Sequence, residues 1–239
     1  MSEVNTGSKV ILNGIDLSCY LNKIGSEGAR DLKPADTFCT DGARKHKKSL
    51  TGWEVSLEGF YESSEESAED VRTIFQNAIT QDGENKLTYT PGDYETGDLA
   101  VLMNLNTTKH SISEIESGEM IMSMLSGSST SSTIDACAHG VVLMAASEVT
   151  EETTGATYDA GSARTARQVR FINITGDDTC QFQVEKSSNG TTWANSVFSA
   201  STGVETVDDM LGTDHARYWR VTATPDGASS SVFVVIVFE

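Results

Sequence analysis

Acidic side chains dominate the groups that could do chemistry in this 239-residue chain, but no catalytic set stands out among them. Aspartate and glutamate together number 35, against 17 lysines and arginines. A glycosidase needs two carboxylates in one defined cleft, and the sequence distinguishes no such pair. The chain also contains no G-x-S-x-G motif, no phosphate-binding P-loop and no G-x-G-x-x-G fingerprint. We therefore predict that the protein is not an enzyme, with no catalytic residues and no cofactor.

One short spacing is similar to part of a metal site. Cys137 and His139 form a C-x-H pair, whereas a zinc site needs about four converging ligands. The other histidines, His46, His110 and His215, have no cysteine or acidic cluster at the usual spacing. We expect the C-x-H pair to lie at a packed strand end, and we predict no metal site.

A basic run, R-K-H-K-K at residues 44–48, lies in a chain whose formal net charge is −18. Three interpretations are open: a solvated loop, a contact with the acidic residues 62–70 of a neighbouring subunit, and a nucleic-acid patch. The surrounding negative field disfavours the last of these. The interface residues predicted by the second interpretation are Arg44, Lys45, Lys47, Lys48, Glu65, Glu66 and Glu69.

Aromatic side chains in the last quarter of the chain suggest a different kind of surface. Trp193, Tyr218 and Trp219 could form a platform for sugar rings, although such residues more often belong to a sandwich core. If a surface site exists, Trp193 and Trp219 are its candidates. The methionines at 120, 122 and 124 alternate on one face and indicate core or a subunit interface.

The remaining bulk features concern compartment and redox state. The first residues, M-S-E-V-N, have neither the positive nor the apolar region of a signal peptide. No apolar run approaches the roughly 18 residues of a membrane span. The four cysteines lie far apart, so we expect them to be reduced and packed. These features predict a soluble protein that is made in a cytoplasm and does not bind membranes.

Periodicity in the first part of the chain predicts strands around one helix. Residues 49–61, S-L-T-G-W-E-V-S-L-E-G-F-Y, alternate apolar and polar side chains, as a half-buried strand does. Apolar residues at 71, 74, 75, 78 and 79 form one helical stripe. Asn13-Gly14 predicts a hairpin or bend within residues 10–17. Further predicted strands cover 86–90, 99–105 and 141–145, and predicted loops cover 25–31, 36–49 and 127–133.

After residue 166 the pattern changes to short, evenly spaced strands, which predicts a small β-sandwich. Asn189-Gly190 is a hairpin signal typical of a type I′ turn. The polar segment 149–162 is the predicted linker, so we predict domains at 1–148 and 163–239. The predicted strands are 169–174, 181–186, 193–198, 205–210, 218–224 and 231–238.

Two parts of the chain resemble known families. Residues 10–145 resemble the major tail tube proteins of long-tailed bacteriophages in their order: an apolar start, a long basic loop, the L-T-G-W-E-V-S-L-E-G-F-Y strand, one helix and more strands. Residues 167–238 resemble the immunoglobulin-like domain appended to phage tail and capsid proteins, through V-E-K-S-S-N-G-T-T-W, R-Y-W-R-V and V-F-V-V-I-V-F. The fold implied is mainly β: a sandwich or barrel-like tail tube domain with one packed α-helix, then an immunoglobulin-like β-sandwich.

The resemblance implies a structural virion protein, the major tail tube subunit. Such subunits form hexameric rings that stack into the channel used for genome ejection. The implied partners are other copies of the chain, the tape measure and the tail terminator, while phage DNA passes through without specific binding. The implied location is the virion tail, after synthesis in the cytoplasm of the host bacterium. The alternative is a virion decoration or adhesin whose C-terminal domain binds surface glycan.

Overall fold

A computed structural model describes residues 8–34, 46–60, 71–80, 84–92, 94–113, 122–129, 137–175, 179–202, 205–210, 214–227 and 229–239. The described chain is mainly β with one helix, as the sequence predicts. The helix, α1, is Val71–Thr80. The strands are β1 Lys9–Leu12, β2 Ile15–Asp16, β3 Leu21–Pro34, β4 His46–Phe60, β5 Asn85–Thr90, β6 Leu99–Ser113, β7 Met122–Ser129, β8 Cys137–Val149, β9 Thr153–Thr154, β10 Tyr158–Thr175, β11 Thr179–Ser187, β12 Ala194–Thr202, β13 Glu205–Met210, β14 His215–Pro225 and β15 Ser230–Phe238.

The chain divides into two compact units that each draw on separate stretches of sequence. The first unit comprises Met1–Cys19, Lys86–Leu102 and Ala138–Glu239, and the second comprises Tyr20–Asn85 and Met103–Cys137. The segment suggested as a linker, 149–162, contains β9 and the first residues of β10. The division into domains at 1–148 and 163–239 stays a prediction.

The second unit is an antiparallel sheet with one helix against it. Its strand order is β3-β4-β7-β6, counting the part of β6 from Met103 onwards. The apolar stripe of α1 is buried, and Phe75 contacts His110 of β6 edge-to-face at 6.0 Å between ring centroids. Asn85 Nδ2 donates to the carbonyl of Ala78 at 2.7 Å, and Thr107 Oγ1 donates to the same oxygen. These two donors satisfy a carbonyl that the end of the helix leaves without a partner.

The first unit contains a two-layer β-sandwich. One layer is β12-β11-β14 with the start of β10, and the other is β13-β10-β15-β8, so the 18-residue strand β10 belongs to both. Phe171 and Phe182, from facing layers, stack at 5.1 Å between centroids, and both are fully buried. Trp219 lies in the same core. This core closes without any disulfide, and Cys180 is free within it.

Strand β15 is buried on both of its faces. Its alternate residues Val232, Val234 and Ile236 belong to the sandwich core, yet Phe233 and Val235 between them are also at most 1% exposed. A continuous apolar run is typical of a strand covered on both sides. The second face also carries buried polar groups of the neighbouring strand β10.

The contacts of Arg170 in β10 show which strand covers the second face of β15. The side chain is 1% exposed, and its Nη1 donates to the carbonyl of Leu87 in β5 at 2.8 Å. Lys86 Nζ similarly donates to the carbonyl of Thr206 in β13 at 3.0 Å. The sheet that runs from β13 to β5 therefore curls until its far strands contact each other, as in a barrel.

Most strand and helix predictions are confirmed, with the six C-terminal strands, the strand at 49–61, the helix and the 10–17 hairpin all present. In the hairpin, Asn13 and Gly14 have φ values of 52° and 89°, as a type I′ turn requires. At Asn189-Gly190 only the glycine has a positive φ, of 74°, so the type I′ prediction is wrong there and a longer loop joins β11 to β12. The prediction of a loop at 25–31 is also wrong, because those residues lie in β3. Residues 46–49 and 127–129, which belong to the other two predicted loops, are strand as well. Cys180 is buried as expected, whereas Cys19 is exposed.

Strands β8 and β15 approach each other closely at Gly140 of β8, and a substitution there tests this packing. A Cβ at this position would lie 2.7 Å from the carbonyl oxygen of Ile236 and 2.8 Å from Val235 Cγ1. We expect Gly140→Ala to lower the free energy of unfolding by about 1–3 kcal/mol, because the strands must separate to admit the methyl group. Gly92→Ala is the matched control, since a Cβ there meets nothing within 4 Å. Urea unfolding measures both, and equal midpoints for the two variants would contradict the packing.

Candidate assembly and channel surface

The second unit has one covered sheet face and one open face. On β4, Val55 and Leu57 are buried on the face that α1 covers. On the opposite face, Glu54 is exposed, and Ser56 and Glu58 are half-buried. This alternation is the one that the sequence predicts for residues 53–60. The open side is called the polar face here. Three cross-strand rows define it: Lys23–Glu58–Met124, Gly25–Ser56–Ser126 and Glu27–Glu54–Ser128.

The polar face combines short side chains at its centre with carboxylates, and its net charge is negative. It holds a shallow depression of about 460 Å³ whose floor is formed by Gly25, Ser56 and Ser126. A Cβ on Gly25 would lie 2.7 Å from Ser56 Oγ, so a larger residue would disturb this row. Glu27 and Glu54 stand directly opposite each other and both are exposed. The face can repel polyanions, and it offers no described group of three or more metal-binding side chains.

One carboxylate of the polar face is balanced by a cation. Lys23 Nζ lies 2.8 Å from Glu58 Oε1, with the lysine largely exposed. An ion pair of this kind contributes little to stability but fixes the position of both side chains. Lys109 of β6, which is exposed and pairs with Ser126, adds a second cation to this face. Three glutamates against two lysines leave the described part of the face with a small net negative charge.

Strand β3 is an open edge of the same sheet. Its 14 residues pair with β4 along one side, and no second partner strand is found in the described part of the chain. At about 3.3 Å per residue the edge is roughly 45 Å long. A long unpaired edge presents a row of backbone donors and acceptors that another strand can satisfy.

The predicted interface residues lie mostly outside the described ranges. Arg44 and Lys45 are among residues 35–45, and Glu65, Glu66 and Glu69 are among residues 61–70, neither of which the structure describes. Lys47 and Lys48 lie in β4, where their backbones pair with Lys33 and Leu32 of β3. Their roles in subunit contacts stay predictions. Sequence reasoning missed β3 itself, because its polar, glycine-containing stretch G-S-E-G-A-R-D indicates a loop.

The two candidate tryptophans occupy different environments. Trp219 is fully buried and its indole Nε1 donates to the carbonyl of Ala216 at 3.1 Å, so its ring has no face open to a ligand. Trp193 is half-buried, and the guanidinium of Arg220 lies 4.2 Å from the centroid of its ring. His139 of the C-x-H pair is exposed in β8. Within the described residues, no helix is both long and apolar enough to cross a membrane.

No protein-family model matches the chain, and neither does any curated protein. Among solved structures, the chain is similar to the SPP1 Dit protein, described as a paradigm of the hub adsorption apparatus in phages that infect Gram-positive bacteria. The identity is 10%, the TM-score is 0.38, and the match covers 97% of this chain and 99% of the other.

Two further likenesses come from gene transfer agents. A chain in the virion of a native particle has 10% identity and a TM-score of 0.38, covering 55% of this chain and 95% of that one. A chain in the tail of an empty particle, computed with C6 symmetry, has 12% identity and a TM-score of 0.36, covering 55% and 96%. Likenesses at these scores carry no argument about role.

Removing the charge of Glu54 and removing the charge of Glu58 should have different effects on the stability of the fold. We expect Glu54→Gln to raise the free energy of unfolding by roughly 0.2–1 kcal/mol, because it removes the repulsion from Glu27 across the strand pair. Glu58→Gln removes the partner of Lys23, so it should leave the free energy of unfolding unchanged or lower it slightly. Urea titrations at low and at about 1 M salt measure both, and salt should shrink the difference. A destabilised Glu54→Gln variant would show that the carboxylates do not repel.

Proposed function

We propose that this protein is a structural component of a bacteriophage tail, and specifically the major tail tube subunit, whose copies form stacked rings around a DNA-conducting channel. The observation that carries the proposal is the sheet of the second unit. It combines a long open edge, one face covered by α1 and a polar face of net negative charge on the other side. Within the described residues, no strand pairs with the outer side of β3.

The open edge supports assembly from identical subunits. An exposed edge strand as long as β3 is a liability for a monomer, and pairing it with a strand of the next copy removes that liability. Repetition of the same contact by a fixed rotation closes a ring, and closure leaves no free edge. Hexameric rings are the form implied by the resemblance to tail tube proteins.

The polar face supports a channel wall. Inside a ring closed through sheet edges, one face of every sheet points to the lumen, and the helix-covered face points away from it. Carboxylates such as Glu27 and Glu54 repel DNA phosphates, and Gly25, Ser56 and Ser126 between them carry only short side chains. Lys109 on β6, opposite Ser126, and Lys23 are the described cations of this face, and the three glutamates outnumber them. Such a wall allows DNA to move without binding. Tape measure and tail terminator proteins are the further partners in this proposal, and the virion tail is its location.

Electron microscopy of the purified full-length chain tests the assembly role. We expect rings or tubes in negative stain, and hydrogen exchange locates the contact. In the monomer, every second amide of β3 points away from β4 and exchanges rapidly, and assembly should protect these amides. Amides of residues 54–60 in β4 are the internal control, because this part of the strand is paired with β3 on one side and β7 on the other in either state. Particles in which the outward amides of β3 still exchange as in the monomer would contradict edge pairing.

Charge reversal tests the basic run as a subunit contact. We expect the double substitution Lys47→Glu and Lys48→Glu to weaken assembly at low salt, with little change in the melting temperature of the monomer. The effect should fade as salt rises, since exposed charges are screened beyond about 8–10 Å at moderate ionic strength. Adding Glu65→Lys and Glu66→Lys should restore assembly in part. Sedimentation measures the assembled fraction, and normal assembly of the reversed variant at low salt would remove these residues from the interface.

A further inference from the structure

A second polar surface lies on the outer side of the sandwich layer formed by β11 and β14. The inward residues of β11, Cys180, Phe182 and Val184, are all fully buried, and the residues between them point outward. These outward residues face partners across the strand pairs and line an open cavity of about 340 Å³. The lining residues are Glu152, Thr154, Gln181, Gln183, Glu185, Arg220, Thr222 and Thr224.

The hydrogen-bonding groups of this cavity form a regular grid. Gln181 stands opposite Thr224, and Gln183 stands opposite Thr222, while Thr222 Oγ1 lies 2.9 Å from Thr154 Oγ1 on the next strand. Neighbouring groups are therefore spaced about 5 Å across the strands and about 7 Å along them. Within the described residues, no protein group hydrogen-bonds the side-chain amides of Gln181 and Gln183. Each amide thus keeps two donors and one acceptor oxygen for a ligand.

An aromatic ring is held at the margin of the cavity. Arg220 lines the cavity, its Nε donates to Glu185 Oε2 at 2.7 Å, and its guanidinium lies 4.2 Å from the centroid of the Trp193 ring. The loop that leads to Trp193 is fixed by its own side chains. Ser187 Oγ accepts from the backbone of Gly190 at 3.0 Å, and Asn189 Oδ1 accepts from two following amides at 2.9 and 3.0 Å. The ring is therefore positioned before any ligand arrives.

We propose that this surface binds a neutral, hydroxyl-rich polysaccharide, with Gln181, Gln183 and Thr222 hydrogen-bonding sugar hydroxyls and Trp193 contacting the apolar side of a ring. Sugar hydroxyls both donate and accept, which suits a grid of amides and hydroxyls better than it suits a cation or an apolar peptide. An indole that is half-buried and fixed offers apolar area at low entropic cost. The inference goes beyond the proposed assembly role and does not depend on it.

The charges of the cavity select against anionic polymers. Arg220 is the one cation among the described lining residues, and it is already engaged by Glu185 and by Trp193, while Glu152 adds a further carboxylate. A phosphate- or sulfate-bearing chain would meet net negative charge here, on a protein of formal net charge −18. The occupant is therefore a neutral glycan.

Titration of the full-length protein with defined oligosaccharides tests the site. The neutral probes are maltohexaose, cellohexaose and hexa-N-acetylchitohexaose at up to about 10 mM, and dextran sulfate is the anionic comparison. Calorimetry and tryptophan fluorescence follow the binding. We expect saturable binding of at least one neutral probe. Gln183→Ala and Trp193→Ala should each weaken it about three- to tenfold, the range for one lost hydrogen bond or ring contact.

Two matched controls separate this surface from others on the chain. Gln76→Ala removes an exposed amide from α1, and Tyr94→Ala removes a 42% exposed aromatic ring elsewhere in the first unit. Both should leave binding unchanged. If Trp193→Ala lowers the melting temperature, its weaker binding could come from a damaged fold. Binding is then compared for Gln183→Ala and Thr222→Val instead. The proposal is overturned if no neutral probe binds, if only dextran sulfate binds, or if the site variants bind as tightly as the controls.

Discussion

Complete burial of β15 is the constraint on which the first unit depends. Its even-numbered residues need one apolar layer and its odd-numbered residues need another, because neither set can face water. The β11–β14 layer supplies the first. The curled sheet that brings Leu87 against Arg170 supplies the second. Segments as distant in sequence as 9–12, 86–90 and 138–149 therefore belong to one unit with the C-terminal strands.

The second unit has only one sheet face that must be kept from water. Its sheet has a single apolar face, which one amphipathic helix covers, and the other face is left polar. The polar face does not stabilise the fold: Glu27 and Glu54 face each other with the same charge, and the row through Gly25 has too little side chain to pack. Features that oppose stability and recur on one surface are best understood as serving something outside the monomer. An open edge of 14 residues on the same sheet points in the same direction, since its unpaired backbone groups can pair with a strand of another chain.

Polar sheet faces occur in both units, but their chemistry differs. In the second unit carboxylates outnumber cations on the polar face and several of its side chains are short, so the surface has a net negative charge that disfavours a polyanion. On the outer side of β11 and β14 the side chains are amides and hydroxyls at regular spacing beside a fixed indole, so the surface can bind a ligand that hydrogen-bonds. The contrast between Trp193 and Trp219 follows from strand geometry. Trp219 falls in register with the inward residues of β14, whereas Trp193 lies in the loop before β12, where it is half-buried and Arg220 packs against its ring.

Local sequence determined much of the secondary structure of this protein. Alternation predicted the six C-terminal strands and the faces of β4, the 3.6-residue stripe predicted α1, and Asn13-Gly14 predicted its turn, because each depends on neighbours a few residues apart. The polar segment within β3 and the strand residues at 153–154 and 158–162 had no such signal. They are strands because distant partners, β4 and β14, pair with their backbones. Strand order, the two-sided burial of β15, the opposition of Glu27 to Glu54 and the inward turn of Trp219 were decided only by the tertiary structure, since long-range register brings together residues that no local pattern relates.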